Sequence, residues 1–292
     1  MKKILVTGKN GQVGWELQRS LAPLGQVIAL DAEDMDLSDV DAIRRKVREI
    51  APHIIVNPAA HTAVDKAESE PDLAMAINGT AAGVLAEEAK KLDALLIHYS
   101  TDYVFNGSKT SPYVESDTPD PQSVYGKTKL AGEQAIQAVG GKHLILRTSW
   151  VYGVHGGNFV KTILRLAKER SELRIVADQY GAPTWARLLA ESTAKVIENY
   201  SEDKSGVYHL TSSGRTNWHE FAEEIVRLAR QYDDTLKDKP LVIHPIATHE
   251  YPVPAKRPAN SSLSTEKLHK TFGLELPQWE RDLAECVRQI YA

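Results

Sequence analysis

The sequence predicts an α/β fold built on a doubly wound parallel sheet. Short apolar runs alternate with longer stretches of helical periodicity through the first half of the chain. This alternation is typical of parallel strands joined by crossover helices. Glycine, small and hydroxyl-bearing residues follow several of the apolar runs, at the strand ends where such sheets bind ligands. We expect a smaller α/β domain for the substrate toward the C-terminus.

Composition excludes several classes of protein. A chain of 292 residues makes one large domain or two smaller ones, and 42% hydrophobic with 25% charged residues is typical of a soluble globular protein. The formal net charge of -4 gives no general reason to expect nucleic acid or an anionic membrane as a partner. The single cysteine, Cys286, excludes an intrachain disulfide and fits a reducing compartment.

The N-terminal stretch Met1–Val6 places lysines before an apolar run, as a signal peptide does. The run is too short for that role and glycines follow at once. No run approaches the length of a membrane span. We therefore expect a cytoplasmic protein, monomeric or homodimeric, with no membrane or nucleic-acid partner.

A glycine-rich segment follows the first predicted strand, Ile4–Thr7. Gly8, Gly11 and Gly14 have the spacing Gly-x-x-Gly-x-x-Gly and precede a helical pattern. Glycines in this position allow a tight turn and close approach of the backbone to a pyrophosphate at the helix N-terminus. The spacing differs from the commoner Gly-x-Gly-x-x-Gly, and the alternative is a tight turn alone. The position between strand and helix favours dinucleotide binding and a Rossmann-like sheet.

Asp31 ends the second predicted strand, 27–30. An acid about 20 residues beyond a glycine loop is placed to bind the adenosine ribose. The alternative is a strand-end aspartate that begins a turn. Asp31 favours NAD because it would repel a 2′-phosphate, whereas Lys9 in the glycine loop would offset that repulsion. The choice between NADH and NADPH stays open.

The next stretch predicts a helix at about 39–50, for which Ser38 and Asp41 resemble a capping box, and a third strand at 54–57. Small residues in the segment 58–62 would let a ligand lie against the backbone. His61 in this segment is either a catalytic acid or, more often for such a position, a loop residue near the cofactor.

The strand at 95–99 and the helix at 123–139 carry the candidate catalytic groups. Thr101 lies at the strand end, and Tyr125 and Lys129 lie four residues apart on one helix face. A tyrosine titrates near ~10, and a nearby ammonium would lower its pKa. The set suits proton transfer to or from a carbonyl or alcohol oxygen. An isolated Tyr-x-x-x-Lys is usually only a solvated helix face, so the interpretation depends on its context.

The remaining pattern predicts further elements and a division into domains. We expect residues 1–150 to bind NAD(P), with about 174–210 completing that sheet, and about 151–173 and 211–292 to bind the substrate. The predicted elements are a strand at 143–147, a strand at 173–177, and helices at 70–92, 158–170, 184–199, 217–231, 264–271 and 279–291.

Together these motifs resemble the extended short-chain dehydrogenase/reductase family over the whole chain. The markers are Thr7-Gly8-x-x-Gly11-x-x-Gly14, Thr101 and Tyr125-x-x-x-Lys129. Within the family the resemblance is to reductases of dTDP-linked 4-keto sugars. The stretches that carry it are Gly11–Leu17, Ala59–Glu68, Ser100–Phe105, Tyr125–Glu133, Arg147–Tyr152, Asp178–Thr184 and Arg257–Ser261.

The resemblance implies reduction of the 4-keto group of a dTDP-6-deoxyhexose by NADPH or NADH, giving dTDP-L-rhamnose. Tyr125 would donate the proton, Thr101 would tune it, and Lys129 would hold the nicotinamide ribose and lower the tyrosine pKa. The sugar nucleotide would contact Thr101, Asp102 and Trp150. The cofactor would contact Gly8, Gly11, Gln12, Val13, Gly14, Asp31, Asp36, Leu37, Ala60, His61, Thr62, Tyr125 and Lys129.

Two arginines bear on what the site binds. Arg257, in the proline-rich loop 251–258, suits a diphosphate because its guanidinium can bond two oxygens at once; the alternative is a surface arginine. Some members of the family hold Mg²⁺ between acids at a dimer contact, and Glu16 could serve such a site. Arg187 stands where another acid would be expected, which argues against that metal.

Two other functions share this fold. A nucleotide-sugar dehydratase or epimerase is one, but dehydratases typically need an acid pair after the threonine, and Asp102 is followed by Tyr103. A non-catalytic regulatory subunit is the other, and the intact Thr101, Tyr125 and Lys129 argue against it.

Overall fold

The computed structural model describes residues 1–292, and strands alternate with helices through most of the first half of the chain. The strands are β1 (Lys3–Thr7), β2 (Gln26–Leu30), β3 (Ile54–Asn57), β4 (Leu95–Thr101), β5 (His143–Thr148), β6 (Val151–Tyr152), β7 (Glu172–Val176), β8 (Tyr180–Gly181), β9 (Thr184–Trp185), β10 (Gly206–His209), β11 (Thr216–Asn217) and β12 (Val242–Ile246). The helices are α1 (Gln12–Leu21), α2 (Val40–Ile50), α3 (Val64–Ala67), α4 (Pro71–Met75), α5 (Ala81–Lys91), α6 (Val124–Val139), α7 (Phe159–Glu169), α8 (Ala186–Glu198), α9 (Trp218–Ala229), α10 (Asp234–Lys237), α11 (Glu266–Phe272) and α12 (Trp279–Ile290). No helix is both long enough and apolar enough to cross a bilayer.

The main sheet has six parallel strands in the order β10-β5-β4-β3-β1-β2. The chain leaves β1 toward β2 on one side and returns to β3 on the other. This reversal opens a crevice at the carboxyl ends of the strands, where ligands bind in such sheets. The predicted doubly wound α/β fold is therefore confirmed.

Each face of the main sheet has its own apolar core. Alternation along β1 sends Ile4 and Val6 to one face, where they pack with Leu17 of α1. Leu5 points to the opposite face and packs with Ile43 of α2. All five side chains are fully buried. Since both faces are covered by helices, the strands are uniformly apolar, as the sequence shows.

A third core lies outside the main sheet. It contains Tyr152, Ile163 of α7, Phe221 of α9 and Leu283 of α12. The strand predicted at 173–177 is β7, and it pairs in parallel with β12, which the sequence analysis missed. Within the segment 174–210, β10 joins the main sheet. The division of roles between the two regions stays a prediction.

The N-terminus of α2 differs from the sequence prediction. Asp39, not Ser38, is the capping residue, and its carboxylate accepts hydrogen bonds from the backbone N–H groups of Asp41 and Ala42. Ser38 instead donates its hydroxyl to Asp36. An aspartate cap satisfies the free N–H groups of the first turn and carries a charge that the helix dipole favours. The proposed capping box was wrong by one residue.

A buried ion pair joins α6 to the centre of the sheet. The Arg147 guanidinium of β5 donates to both carboxylate oxygens of Glu133, through Nε at 2.9 Å and Nη2 at 2.6 Å. The Ser100 hydroxyl of β4 donates to the same carboxylate. The side chains of Arg147 and Glu133 are 4% and 0% exposed. Because both charges are out of water, each depends on the other for compensation.

Replacing one member of this pair should destabilise the protein strongly. Glu133→Ala leaves the Arg147 guanidinium buried without a counter-charge, so we expect a loss of about 3–5 kcal/mol in the free energy of unfolding. Urea denaturation at neutral pH measures it. The control is Glu224→Ala, which breaks an exposed pair with Arg227 and should cost at most about 1 kcal/mol. Equal losses in the two variants would show that the buried pair stabilises the fold no more than an exposed pair does.

Candidate active site

A cleft of about 680 Å³ opens at the carboxyl ends of β1 to β5. Most of the predicted functional residues line it, although they come from distant parts of the chain. The lining residues named by the sequence analysis are Gly8, Gly11, Gln12, Val13, Gly14, Asp31, Ala60, Thr62, Thr101, Asp102, Tyr125, Lys129 and Trp150.

The glycine segment forms one end of the cleft and leaves backbone donors free there. Gly8 has a left-handed φ of 63°, and a Cβ at Gly14 would lie 2.0 Å from the Gly8 carbonyl oxygen. The first backbone bond of α1 runs from Trp15 N–H to the Gly11 carbonyl. The N–H groups of Gln12, Val13 and Gly14 come before this bond and have no partner within the helix. No side chain caps α1. This arrangement fits the phosphates of a dinucleotide.

Asp31 and its charged neighbours stand at the end of β2. Asp31 lines the cleft and accepts a hydrogen bond from the N–H of Ala32. Lys9 forms an ion pair with Asp34, with Nζ 2.6 Å from a carboxylate oxygen. The Asp34 carboxylate raises the pKa of Lys9. Lys9 is therefore charged but already paired, which weakens its predicted effect on a 2′-phosphate.

Three predicted cofactor residues, Asp36, Leu37 and His61, do not line the cleft. Asp36 is exposed and accepts hydrogen bonds from Ser38. Leu37 is 8% exposed and packs in the core beside α2. The turn 31–38 presents Asp31 to the cleft and buries Leu37 below it.

The loop after β3 is held by a residue that the sequence analysis did not assign. Asn78 accepts from the backbone N–H of His61 at 2.8 Å and donates to the Thr128 hydroxyl of α6 at 3.1 Å. Asn78 lies in a π-helical turn, Ala76–Thr80, that interrupts the single helix predicted at 70–92. The only sequence signal was the Asn-Gly pair inside that helical pattern. The His61 imidazole lies 3.3 Å from Glu70 and does not line the cleft.

Thr101 and Tyr125 meet in the cleft. The Thr101 hydroxyl donates to the Asp102 carboxylate at 2.9 Å, and both Thr101 and Tyr125 line the cleft. Burial raises the pKa of Tyr125 to about 12, against the opposing effect of Thr101. The direction is opposite to the lowering expected from Lys129. A tyrosine that keeps its proton at neutral pH is suited to act as an acid.

Lys129 is buried under the cleft and bonds away from Tyr125. Its Nζ lies 2.6 Å from the Tyr99 carbonyl oxygen and 3.2 Å from the His98 Nε2. Burial lowers the pKa of Lys129 to about 8, with the Glu133 carboxylate opposing that shift. No hydrogen bond joins Lys129 to Tyr125, which explains why the tyrosine pKa is not lowered.

Trp150 and Asp102 line the same cleft as Tyr125. Trp150 has a left-handed φ of 48°, rare for a bulky residue, and its ring stacks on Trp218 with centroids 3.6 Å apart. A Cβ at Gly181 would meet the Trp150 ring at 2.7 Å. Burial raises the pKa of the Asp102 carboxyl to about 6, while the hydroxyls of Ser261 and Thr101 act against it. Trp218 was assigned no role from the sequence.

The loop after β6 closes one side of the cleft. Asn158 lines it and donates to the Gln12 side chain at 3.0 Å and to the Gly153 carbonyl at 2.8 Å. Its side-chain oxygen also caps α7 by accepting from the N–H of Lys161. The sequence predicted only the start of a helix here. The contact of Asn158 with Gln12 joins residues far apart in the chain, so the local pattern could not predict it.

Arg257 and Glu16 lie outside the cleft lining. Arg257 pairs with Asp65 at 2.8 Å, and its guanidinium lies 5.9 Å from the ring centroid of Tyr103, a lining residue. Glu16 is buried and lies 3.2 Å from Arg19 and 3.4 Å from Arg187. No group of three or more acidic, histidine or cysteine side chains converges to hold a metal. The surroundings of Glu16 are those of an ion pair.

Comparison with known proteins gives a consistent result. The family model described as RmlD substrate binding domain matches residues 1–292. The dTDP-4-dehydrorhamnose reductase of Burkholderia thailandensis is 51% identical over 294 residues, covering 99% of each chain. Among solved structures, a dTDP-4-dehydrorhamnose reductase from Clostridium acetobutylicum superposes with a TM-score of 0.92 at 41% identity, over 99% of this chain and 100% of that one. The same enzyme from Bacillus anthracis, solved in complex with NADP, gives 0.91 at 37% identity over 99% of each chain.

The buried Asp102 carboxyl should make the protein less stable above pH 6 than an amide would. Its pKa rises from 3.8 to about 6 on folding, so the folded state holds the proton more tightly, and this favours folding only at low pH. Asp102→Asn should therefore raise the free energy of unfolding at pH 8 by about 1–3 kcal/mol. This gain in the free energy of unfolding should shrink as the pH falls from 6 to 4 and should vanish below pH 4. Denaturation at pH 4, 6 and 8 checks this; a pH-independent difference would contradict it.

Proposed function

The chain belongs to the family of dTDP-4-dehydrorhamnose reductases, nicotinamide-dependent oxidoreductases of nucleotide-sugar biosynthesis, and from this we propose how its cleft carries out the reduction. One observation supports the proposal most directly. Thr101, Tyr125 and Lys129 line the same cleft as the glycine turn Gly8–Gly14, which is suited to a dinucleotide. The substrate is dTDP-4-dehydro-L-rhamnose and the product is dTDP-L-rhamnose. The carbonyl carbon gains a hydride, and the carbonyl oxygen gains a proton.

We propose that the first 150 residues hold the cofactor. When bound, NADH or NADPH supplies the hydride. The free N–H groups at the start of α1 would bind the pyrophosphate and Asp31 the adenosine ribose. Ala60 and Thr62 line the same cleft and would contact the cofactor. A reductase must exchange this cofactor in every turnover.

We propose that Tyr125 is the proton donor. Its raised pKa keeps the hydroxyl protonated at neutral pH, so a proton is available when negative charge develops on the carbonyl oxygen. Thr101 orients that hydroxyl from the end of β4. Asp102 and Trp150 form the wall against which the sugar would lie, and residues 151–173 and 211–292 would complete its site.

Arg257 is already paired with Asp65, through one of its N–H groups at 2.8 Å. It lies behind the Tyr103 ring, at the edge of the cleft. We propose that the diphosphate, which carries more charge than one carboxylate, competes with Asp65 for the guanidinium.

The sequence after Thr101 does not favour a dehydratase, because Asp102 is followed by Tyr103 and not by a second acid.

Removal of the Tyr125 hydroxyl tests the proposed function. Tyr125→Phe keeps the ring but has no proton to donate, so kcat for dTDP-4-dehydrorhamnose should fall by roughly 10²–10⁴-fold. Cofactor affinity should hardly change. The matched control is Tyr103→Phe, which alters a neighbouring ring 5.5 Å away in the same cleft and should retain most activity. Near-normal kcat in Tyr125→Phe would exclude Tyr125 as the donor.

The acids around the adenosine end should set the cofactor preference. Asp31→Ala should weaken NADH more than NADPH, since it removes a ribose contact and relieves repulsion of the 2′-phosphate. Asp34→Asn should release Lys9 from its ion pair and tighten NADPH by up to about fivefold, with little effect on NADH. Titration of both cofactors against each variant measures this. Equal changes for NADH and NADPH would show that neither acid discriminates.

A further inference from the structure

A row of buried polar side chains runs across the sheet and ends at Lys129. The Thr7 hydroxyl of β1 donates to Asn57 Oδ1 of β3 at 2.6 Å, and Asn57 Nδ2 lies 3.0 Å from His98 Nδ1 of β4. His98 Nε2 lies 3.2 Å from Lys129 Nζ. All four side chains are at most 2% exposed. None of Thr7, Asn57 and His98 has a part in the reaction described above.

The direction of the hydrogen bonds along this row can be worked out from its far end. The Thr7 hydroxyl accepts from the backbone N–H of Ala59 at 3.3 Å, so its own proton is free to go to Asn57 Oδ1. The Asn57 amide then presents Nδ2, which can only donate, to His98. His98 Nδ1 must therefore be an acceptor.

A neutral imidazole with an accepting Nδ1 carries its proton on Nε2. Burial and the nearby Lys129 both lower the pKa of His98 well below its usual range, so the ring is neutral. Its Nε2–H then points at Lys129 Nζ. An ammonium has no lone pair to accept that hydrogen, whereas a neutral amine has one.

We propose that His98 is a positioning residue that favours the uncharged amine of Lys129 in the ligand-free enzyme. The row Thr7–Asn57–His98 donates toward Nζ, and Nζ in turn donates to the Tyr99 carbonyl. Protonation of Lys129 from solvent breaks the Nε2–H···Nζ bond. For its catalytic meaning the inference rests on the proposed function, in which Tyr125, in the same cleft as Lys129, donates the proton. A larger uncharged fraction of Lys129 weakens the pull of its positive charge on the Tyr125 proton.

Other charged groups around Lys129 must be taken into account. On α6 it has Tyr125 and Glu133 as neighbours in sequence, and the Glu133 carboxylate favours the ammonium. Arg147 of β5 neutralises much of that effect by its bidentate pairing. Asp102 lies next to Thr101 and Tyr125 and titrates at lower pH. His98 is the group on β4 that acts in the opposite direction.

The first test reads the tautomer of His98 in the full-length, ligand-free protein by ¹⁵N NMR of the imidazole. At pH 9 we expect the proton on Nε2 and an unprotonated Nδ1. A proton on Nδ1 at pH 9 would overturn the proposal. This measurement needs no activity, so it can fail while the reductase function stands, and it can succeed if the reductase function fails.

The second test measures the titration of Lys129 by ¹³C NMR of its Cε, assigned with Lys129→Met. In His98→Phe the donor to Nζ is lost, so we expect the pKa of Lys129 to rise by about one unit and the pH profile of kcat to shift with it. KM for the sugar nucleotide should be unchanged. If His98→Phe does not fold, His98→Leu replaces it.

The matched control is His209→Phe, which replaces another buried neutral histidine, on β10 of the same sheet. His209 has no hydrogen bond to Lys129, so the pKa of Lys129 should stay at its wild-type value. An equal shift in the two variants, or no shift in His98→Phe, would show that His98 does not set the charge of Lys129.

Discussion

The bidentate pair of Glu133 with Arg147 is the contact on which the geometry of the cleft depends. It ties α6 to β5, and through Ser100 to the end of β4. Tyr125 and Lys129 are on α6, whereas Thr101 follows Ser100 directly. The pair therefore ties the helix that carries Tyr125 and Lys129 to the strand that ends at Thr101. An apolar contact could hold the helix as firmly but would not fix its rotation, because apolar packing has no direction.

Close backbone contacts support the same placement. A Cβ at Gly126 would lie 2.2 Å from the Tyr103 carbonyl, and one at Gly132 would lie 2.3 Å from the Asn78 carbonyl. Both glycines let α6 approach the turns that border the cleft. Asn78 then links the loop after β3 to α6 through its hydrogen bonds to His61 and Thr128.

Burial sets the chemistry of the site more than pairwise charges do. It raises the pKa of Tyr125 and Asp102 and lowers that of Lys129, in each case favouring the neutral form. At neutral pH the Asp102 carboxylate and the Lys129 ammonium are still largely charged, because their pKa values are about 6 and about 8, and their opposite charges offset each other in the cleft.

The sequence by itself determined the sheet, the glycine turn and the Thr101, Tyr125 and Lys129 set, because period, glycine position and i to i+4 spacing are local properties of the chain. Tertiary structure decided the partners. In the fold Lys129 bonds to His98 and Tyr99, and Asn78 bonds to α6. Lys9 forms an ion pair with Asp34, and Arg257 forms one with Asp65. Asp39 caps α2. Tertiary structure also paired β7 with β12, a strand whose short apolar run between prolines gave no clear signal. Hydrogen bonds and burial join residues far apart in the chain, so they set the pKa values and the direction of each side chain only once the fold is complete.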